Sequence, residues 1–182
     1  MDISFAEHTK VIPIQAPVSI SAAAITTEYI CAKNAEKITW FLYYGVLHAS
    51  FDDATISVTV GNNASGTKNT NSNSSMDFVL ENVWQTGVTA AASCDMLTKQ
   101  TISTTGSIDS VAVASNDDGT MFVIEVDCKK LGTFSSSSVT YSADYVALTV
   151  PSAGVSGAAV VSVMAIASGL RYKQSAPPTA IA

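Results

Sequence analysis

The chain has 182 residues, a length that fits one domain. By surface scaling such a chain keeps roughly 8,000 of about 27,000 Å² on folding, enough burial for a core that needs neither disulfides nor metal. Fifteen acidic against nine basic residues give a net charge of −6 and a pI near 4.6. No basic cluster is denser than Lys129–Lys130, which excludes nucleic-acid binding, a function that requires a basic footprint. Only 13% of residues are charged, about half the usual share, so the exterior is built from Ser, Thr, Asn and Ala or lies against partners.

The N-terminus, "MDISFAEHTKVIPIQ", has no basic start followed by an apolar run, so no signal peptide is read there and synthesis in a cytoplasm is expected. In "KVIPIQAPVSIS" two prolines sit among β-branched residues. Proline opposes regular sheet pairing and favours an extended arm, so residues 1–20 read as either a frayed terminus or an arm that lies on a neighbouring subunit. Val11, Ile12, Pro13, Ile14 and Pro17 are its candidate contact residues. "SAAAITT" is compatible with one helical turn.

"TEYICAK" reads as a strand, "NAEK" as a turn, and "ITWFLYYGVL" as a strand that is apolar on both faces. Trp40, Leu42 and Tyr44 share one face, and Phe41, Tyr43 and Leu47 the other. Such a strand is covered on both sides, by a second sheet and by another chain, which adds Trp40 and Tyr44 to the partner-contact candidates. "TISVTV" at 55–60 alternates apolar residues with hydroxyls on an outward face, and the Asn/Ser-rich stretch from Gly61 is a long loop. "DFVLENVW" at 77–84 is the next strand, and 85–98 is a short helix or a loop. "SVAVASNDDGTMFVIEVDC" predicts a hairpin around "NDDG", with Phe122, Ile124 and Val126 inward and Val123, Glu125 and Asp127 outward. "DYVALTV" at 144–150 ends at Pro151. "GAAVVSVMAIASG" at 157–169 is a strand packed closely on both faces, too short to span a bilayer.

No segment carries a sustained 3.6-residue period. The expected fold is all-β: an antiparallel β-sandwich, jelly-roll-like, over residues 21–171, with an N-terminal arm at 1–20 and a C-terminal tail at 172–182.

Chemistry is sparse. Asp52–Asp53 and Asp117–Asp118 are adjacent pairs whose members point to opposite faces of a strand, and turn propensity explains both. His8 and His48 are the two imidazoles, too few for a zinc set without nearby cysteines. Cys31, Cys94 and Cys128 lie far apart and read as free thiols. No GxSxG elbow, P-loop or GxGxxG occurs. No catalytic residue, cofactor or metal is therefore expected.

The C-terminal succession "FVIEVDCKKL", "DYVALTV" and "AAVVSVMAIASGLRY" resembles a run in small virion structural proteins of tailed bacteriophages, of the kind encoded beside the major capsid protein. "EYICAKNAEKITWFLYYG", read as a hairpin, is similar too. Cys128 and the Asn/Ser loop at 61–75 depart from that pattern. The resemblance implies a capsid decoration (cement) protein: non-enzymatic, commonly trimeric, bound to the major capsid protein on the outer surface of the head, and stabilising the shell by bridging neighbouring subunits. It implies synthesis in the bacterial host cytoplasm, homo-oligomerisation, and no nucleic-acid or membrane partner. The alternatives are a tail or neck protein, a carbohydrate-binding or host-adhesion module using Trp84 or Tyr141, a fimbrial subunit, and, last, an enzyme with a pocket of His48, Asp52 and Asp118.

Overall fold

The computed structural model describes residues 9–20, 24–45, 54–67, 69–70, 80–86, 97–105, 108–113, 119–152 and 160–170. In chain order the strands are β1 (Thr9–Ser19), β2 (Ile25–Thr26), β3 (Ile30–Cys31), β4 (Lys37–Tyr44), β5 (Ala54–Gly61), β6 (Asn69–Thr70), β7 (Leu80–Thr86) and β8 (Thr98–Lys99). They continue with β9 (Ser103–Thr105), β10 (Ile108–Val113), β11 (Met121–Asp127), β12 (Thr133–Ser136), β13 (Val139–Ser142), β14 (Tyr145–Val150) and β15 (Val160–Ser168). A 3-10 turn, Cys128–Lys130, follows β11 and is capped by the Asp127 carboxylate, which accepts from the Lys129 N–H at 2.9 Å. The protein is all-β and its strand pairs are antiparallel. Among the described residues no helix is long and apolar enough to cross a membrane.

A six-stranded sheet runs β1-β15-β4-β11-β7-β8. A seven-stranded sheet runs β2-β14-β5-β10-β9, with β3 also on β14 and β6 on β5, and β12–β13 form a separate two-stranded sheet. The chain passes repeatedly from one large sheet to the other, so each strand turns one side toward a shared interior. Ile38, Trp40, Leu42 and Tyr44 of β4 and Phe122, Ile124 and Val126 of β11 belong to the same buried cluster as Ile56, Val58 and Val60 of β5 and Val146, Leu148 and Val150 of β14. Small residues sit beside large ones in this core: Ala165 is paired with Trp40 and Ala167 with Ile38, which fills space without strain. The Tyr44 and Phe122 rings meet edge to face at 5.8 Å and 78°.

Four expectations change. From Thr9 to Ser19 the expected arm is an edge strand of the protein's own sheet, with Pro13 in register with Met164. Proline is tolerated at an edge because its missing N–H can be the one that faces solvent, and register shifts between Pro13 and Gln15 and between Gln15 and Val18 absorb the irregularity. What holds the strand is burial, with Ile12 at 2% and Ile14 at 8% exposure. The hairpin around "NDDG" does not form: β10 pairs with β5 and β9 while β11 pairs with β4 and β7, in the other sheet. The "EYICAKNAEKITWFLYYG" segment likewise divides, β3 going to one sheet and β4 to the other. Residues 114–118, and with them most of the "NDDG" turn, lie outside the described residues.

The hydroxyl face of β5 is not exterior. Ser57 and Thr59 are buried, and the Thr59 Oγ1 lies 2.7 Å from the Thr149 Oγ1, which is 3.5 Å from the Thr26 Oγ1. Thr27, between β2 and β3, keeps the ladder closed: its N–H donates to the Leu148 carbonyl, and its hydroxyl accepts from the Leu148 N–H, both at 2.9 Å. A side-chain oxygen thus replaces a missing backbone acceptor for a buried N–H. Gly169 ends β15 at φ +63, where a Cβ would meet the Glu36 side chain at 2.6 Å, so only glycine fits the turn.

Candidate interaction surface

The outward face of the six-stranded sheet is where the strand period and the register combine to expose apolar residues. On β15 the outward positions are Val160, Ser162, Met164, Ile166 and Ser168, each alternating with a buried residue. On β4 they are Lys37, Thr39, Phe41 and Tyr43. Register then lines these up into rows across the sheet. One row reads Pro13, Met164, Phe41 and Val123, with Trp84 at the next register position; Val123, expected outward, lies in this row but is covered, at 9% exposure. The next reads Ser162, Tyr43, Met121. On the other side comes Val11, Ile166, Thr39, Glu125, and beyond it Ser168, Lys37, Asp127.

The face is therefore divided. On β1, β15, β4 and β11 the first two rows contain no charged residue, and they expose Tyr43 at 48% and Met164 at 41%, with Val11 at 47% alongside. The opposite end is charged but internally paired: Lys37 Nζ lies 3.6 Å from Glu125 Oε2, and Lys130 Nζ lies 4.0 Å from Asp127 Oδ2. Exposed pairs of this kind contribute little stability. Their effect is to leave a rim with little charge imbalance beside an apolar centre containing Met and aromatic residues, the usual anatomy of a protein interface.

The sequence-predicted contact residues separate on this geometry. Val11, Pro13 and Pro17 are exposed on the edge strand β1. Ile12 and Ile14 face the core, and Trp40 and Tyr44 are fully buried between the sheets. These four cannot meet a partner in the folded protein, because the face of β4 that carries Trp40 and Tyr44 is the interior one. The residues that do reach the surface from β4 are Phe41 and Tyr43, and Met164 and Ile166 join them from a strand more than a hundred residues away in the chain.

Elsewhere the polar groups are mutually engaged. A pocket of about 220 Å³ includes Lys33, Cys128, Lys129, Ser142 and Asp144 in its lining. In it the Lys33 ammonium lies 3.1 Å from Asp144, which also accepts from the Ser142 hydroxyl at 2.7 Å, and Lys129 lies 2.8 Å from Glu36. Burial pushes the Cys128 thiol up to about 12, so it stays protonated and inert at neutral pH. Cys31 and Cys128 are free and half-buried. Among the described residues no group of three or more His, Cys, Asp or Glu side chains could hold a metal ion. His8, His48, Asp52, Asp53, Cys94, Asp117 and Asp118 lie outside the described residues. Tyr141 is half-buried, its ring 5.7 Å from that of Phe134.

No family model, no curated protein and no solved structure matches the chain.

Proposed function

We propose that the chain is a non-enzymatic structural subunit of a tailed-phage virion that decorates the head and stabilises the shell by bridging neighbouring subunits of the major capsid protein. The observation that supports this best is the uncharged apolar centre on the outward face of the six-stranded sheet. Strands lie about 4.8 Å apart and residues about 3.4 Å apart, so the uncharged patch over β1, β15, β4 and β11 from Val160 to Met164 has a footprint of about 300 Å². A standard two-partner interface takes about 800 Å² from each side. A patch of this size suits a subunit that touches a large assembly at several points, where modest contacts add.

Strand addition at the long sheet edge is disfavoured. β1 carries Pro13, Pro17 and two register shifts, devices that prevent edge-to-edge pairing. That weighs against a fimbrial subunit, which joins its neighbours by exchanging strands.

The test is a double variant, Tyr43→Lys with Met164→Lys. Both sites are exposed, and surface substitutions of this kind usually stay within about 0.5 kcal/mol, so the thermal midpoint is expected to hold. Co-sedimentation with heads of the phage that carries the chain, stripped of the native protein, is expected to fall at least tenfold. Full binding by the double variant would remove this face from the account.

A further inference from the structure

We infer that β13 is an open sheet edge built to pair with β13 of a second copy, joining two β12–β13 hairpins into one four-stranded sheet. The other described edges are guarded or short. β1 has its prolines and irregular register, β8 is two residues ending in Lys99, β9 is three residues, and β2 and β3 are two each. Long unguarded edges are otherwise avoided, because they pair with any extended chain. The β12–β13 hairpin has none of these devices. From Thr133 to Ser142 there is no charged residue and no proline, and the register is one-to-one, without a shift.

The hairpin is well held. Its turn places Ser137 at φ +53 and Ser138 at φ +64, the left-handed pair of a two-residue hairpin turn that usually uses Asn-Gly. Phe134 is fully buried and anchors it in the core cluster. Ala143 N–H donates to the Gly132 carbonyl at 3.0 Å at its base.

The same hydrogen bond fixes which groups face outward. In an antiparallel pair, residues that exchange hydrogen bonds alternate with residues that do not. Gly132 with Ala143, and Phe134 with Tyr141 two positions on, are bonded pairs, so Thr140 and Ser142 direct their N–H and C=O away from β12. Asp144, of the same parity, confirms the direction, since its carbonyl accepts from the Ala32 N–H at 2.8 Å on that side. The neighbouring chain then turns at Lys33 and Asn34, and among the described residues β13 pairs with β12 alone.

The occupant must be an extended, uncharged strand with outward groups of its own; among the described strands β13 qualifies, whereas β12, the hairpin's other edge, lies beside β6. Antiparallel pairing about a two-fold axis at Thr140 is self-complementary. It also lets two copies of a chain with net charge −6 meet where neither carries charge, and it brings the half-exposed Val139 side by side with Tyr141 and their counterparts. This contact goes beyond the shell-binding face and leaves that face open.

Sedimentation equilibrium of the full chain over a range of concentrations tests it. The unmodified protein is expected to form a dimer. Thr140→Pro removes an outward N–H without touching the β12 ladder, and Thr140→Lys places like charges across the two-fold. Each is expected to weaken the dimer at least tenfold, the lysine variant less so at high salt, while Met164→Lys leaves it unchanged. A monomer at every concentration, a trimer, or a dimer indifferent to both Thr140 variants would overturn the proposal.

Discussion

Deleting residues 1–17 is expected to unfold the protein. The deletion takes most of β1, including Ile12 and Ile14 with 2% and 8% exposure, and uncovers β15 along the stretch that holds Val163, Ala165 and Ala167. Truncating one buried isoleucine to alanine costs about 2–5 kcal/mol, and here two are lost together with a row of backbone hydrogen bonds. The sum approaches the about 5–15 kcal/mol that holds an ordinary domain together. Far-ultraviolet circular dichroism is expected to show loss of the cooperative melt. A truncated chain that melted like the full one, and had lost only partner binding, would restore the view of this segment as a free arm.

Trp40→Ala is the second large effect, expected at about 3–5 kcal/mol as the usual range for emptying a large aromatic site. Trp40 is wholly buried on β4, flanked on its two sides by Ala165 and Ile124. Both neighbours lie on paired strands whose backbones are fixed by their ladders, which limits how far the cavity can collapse. Trp40→Phe is expected to cost much less. The indole Nε1 has no hydrogen-bond partner among the described residues, so phenylalanine removes an unsatisfied donor along with the volume it loses. Urea denaturation of the two variants measures both numbers. Equal destabilisation by Phe and Ala, or none by either, would mean that Trp40 is not the core residue described here.

Much of the fold was legible in the sequence because a period of two residues reports burial directly. β4, β5, β11, β14 and β15 fall where the alternation puts them, and the inward assignment of Phe122, Ile124 and Val126 holds. Periodicity names a face, however, and says nothing of which sheet the face belongs to. Two strands joined by a turn-like "NDDG" are a hairpin by local rules, yet the long-range partners β5 and β4 pull β10 and β11 into different layers. The prolines of β1 misled for a related reason: a restriction on the middle of a sheet is not one on its edge. Hydroxyls on β5 suggested solvent, but pairing with Thr149 lets them be buried. Within "TFSSSSVTYS" the turn lacks Asn-Gly, so the β12–β13 hairpin gave no local signal. The surface patch was half legible. Phe41 and Tyr43 stood out as the second face of an aromatic strand, but Met164 and Pro13 reach them only through register, which no local pattern encodes.

The measurement that bears most directly on the whole account is cryo-electron microscopy of virions carrying this chain, at a resolution that separates its sheets. The expected image has the protein outside the head shell in many copies, with the outward face of β1, β15 and β4 turned toward capsid subunits. Density confined to a tail or neck, or a shell contact made through the seven-stranded sheet, would contradict it.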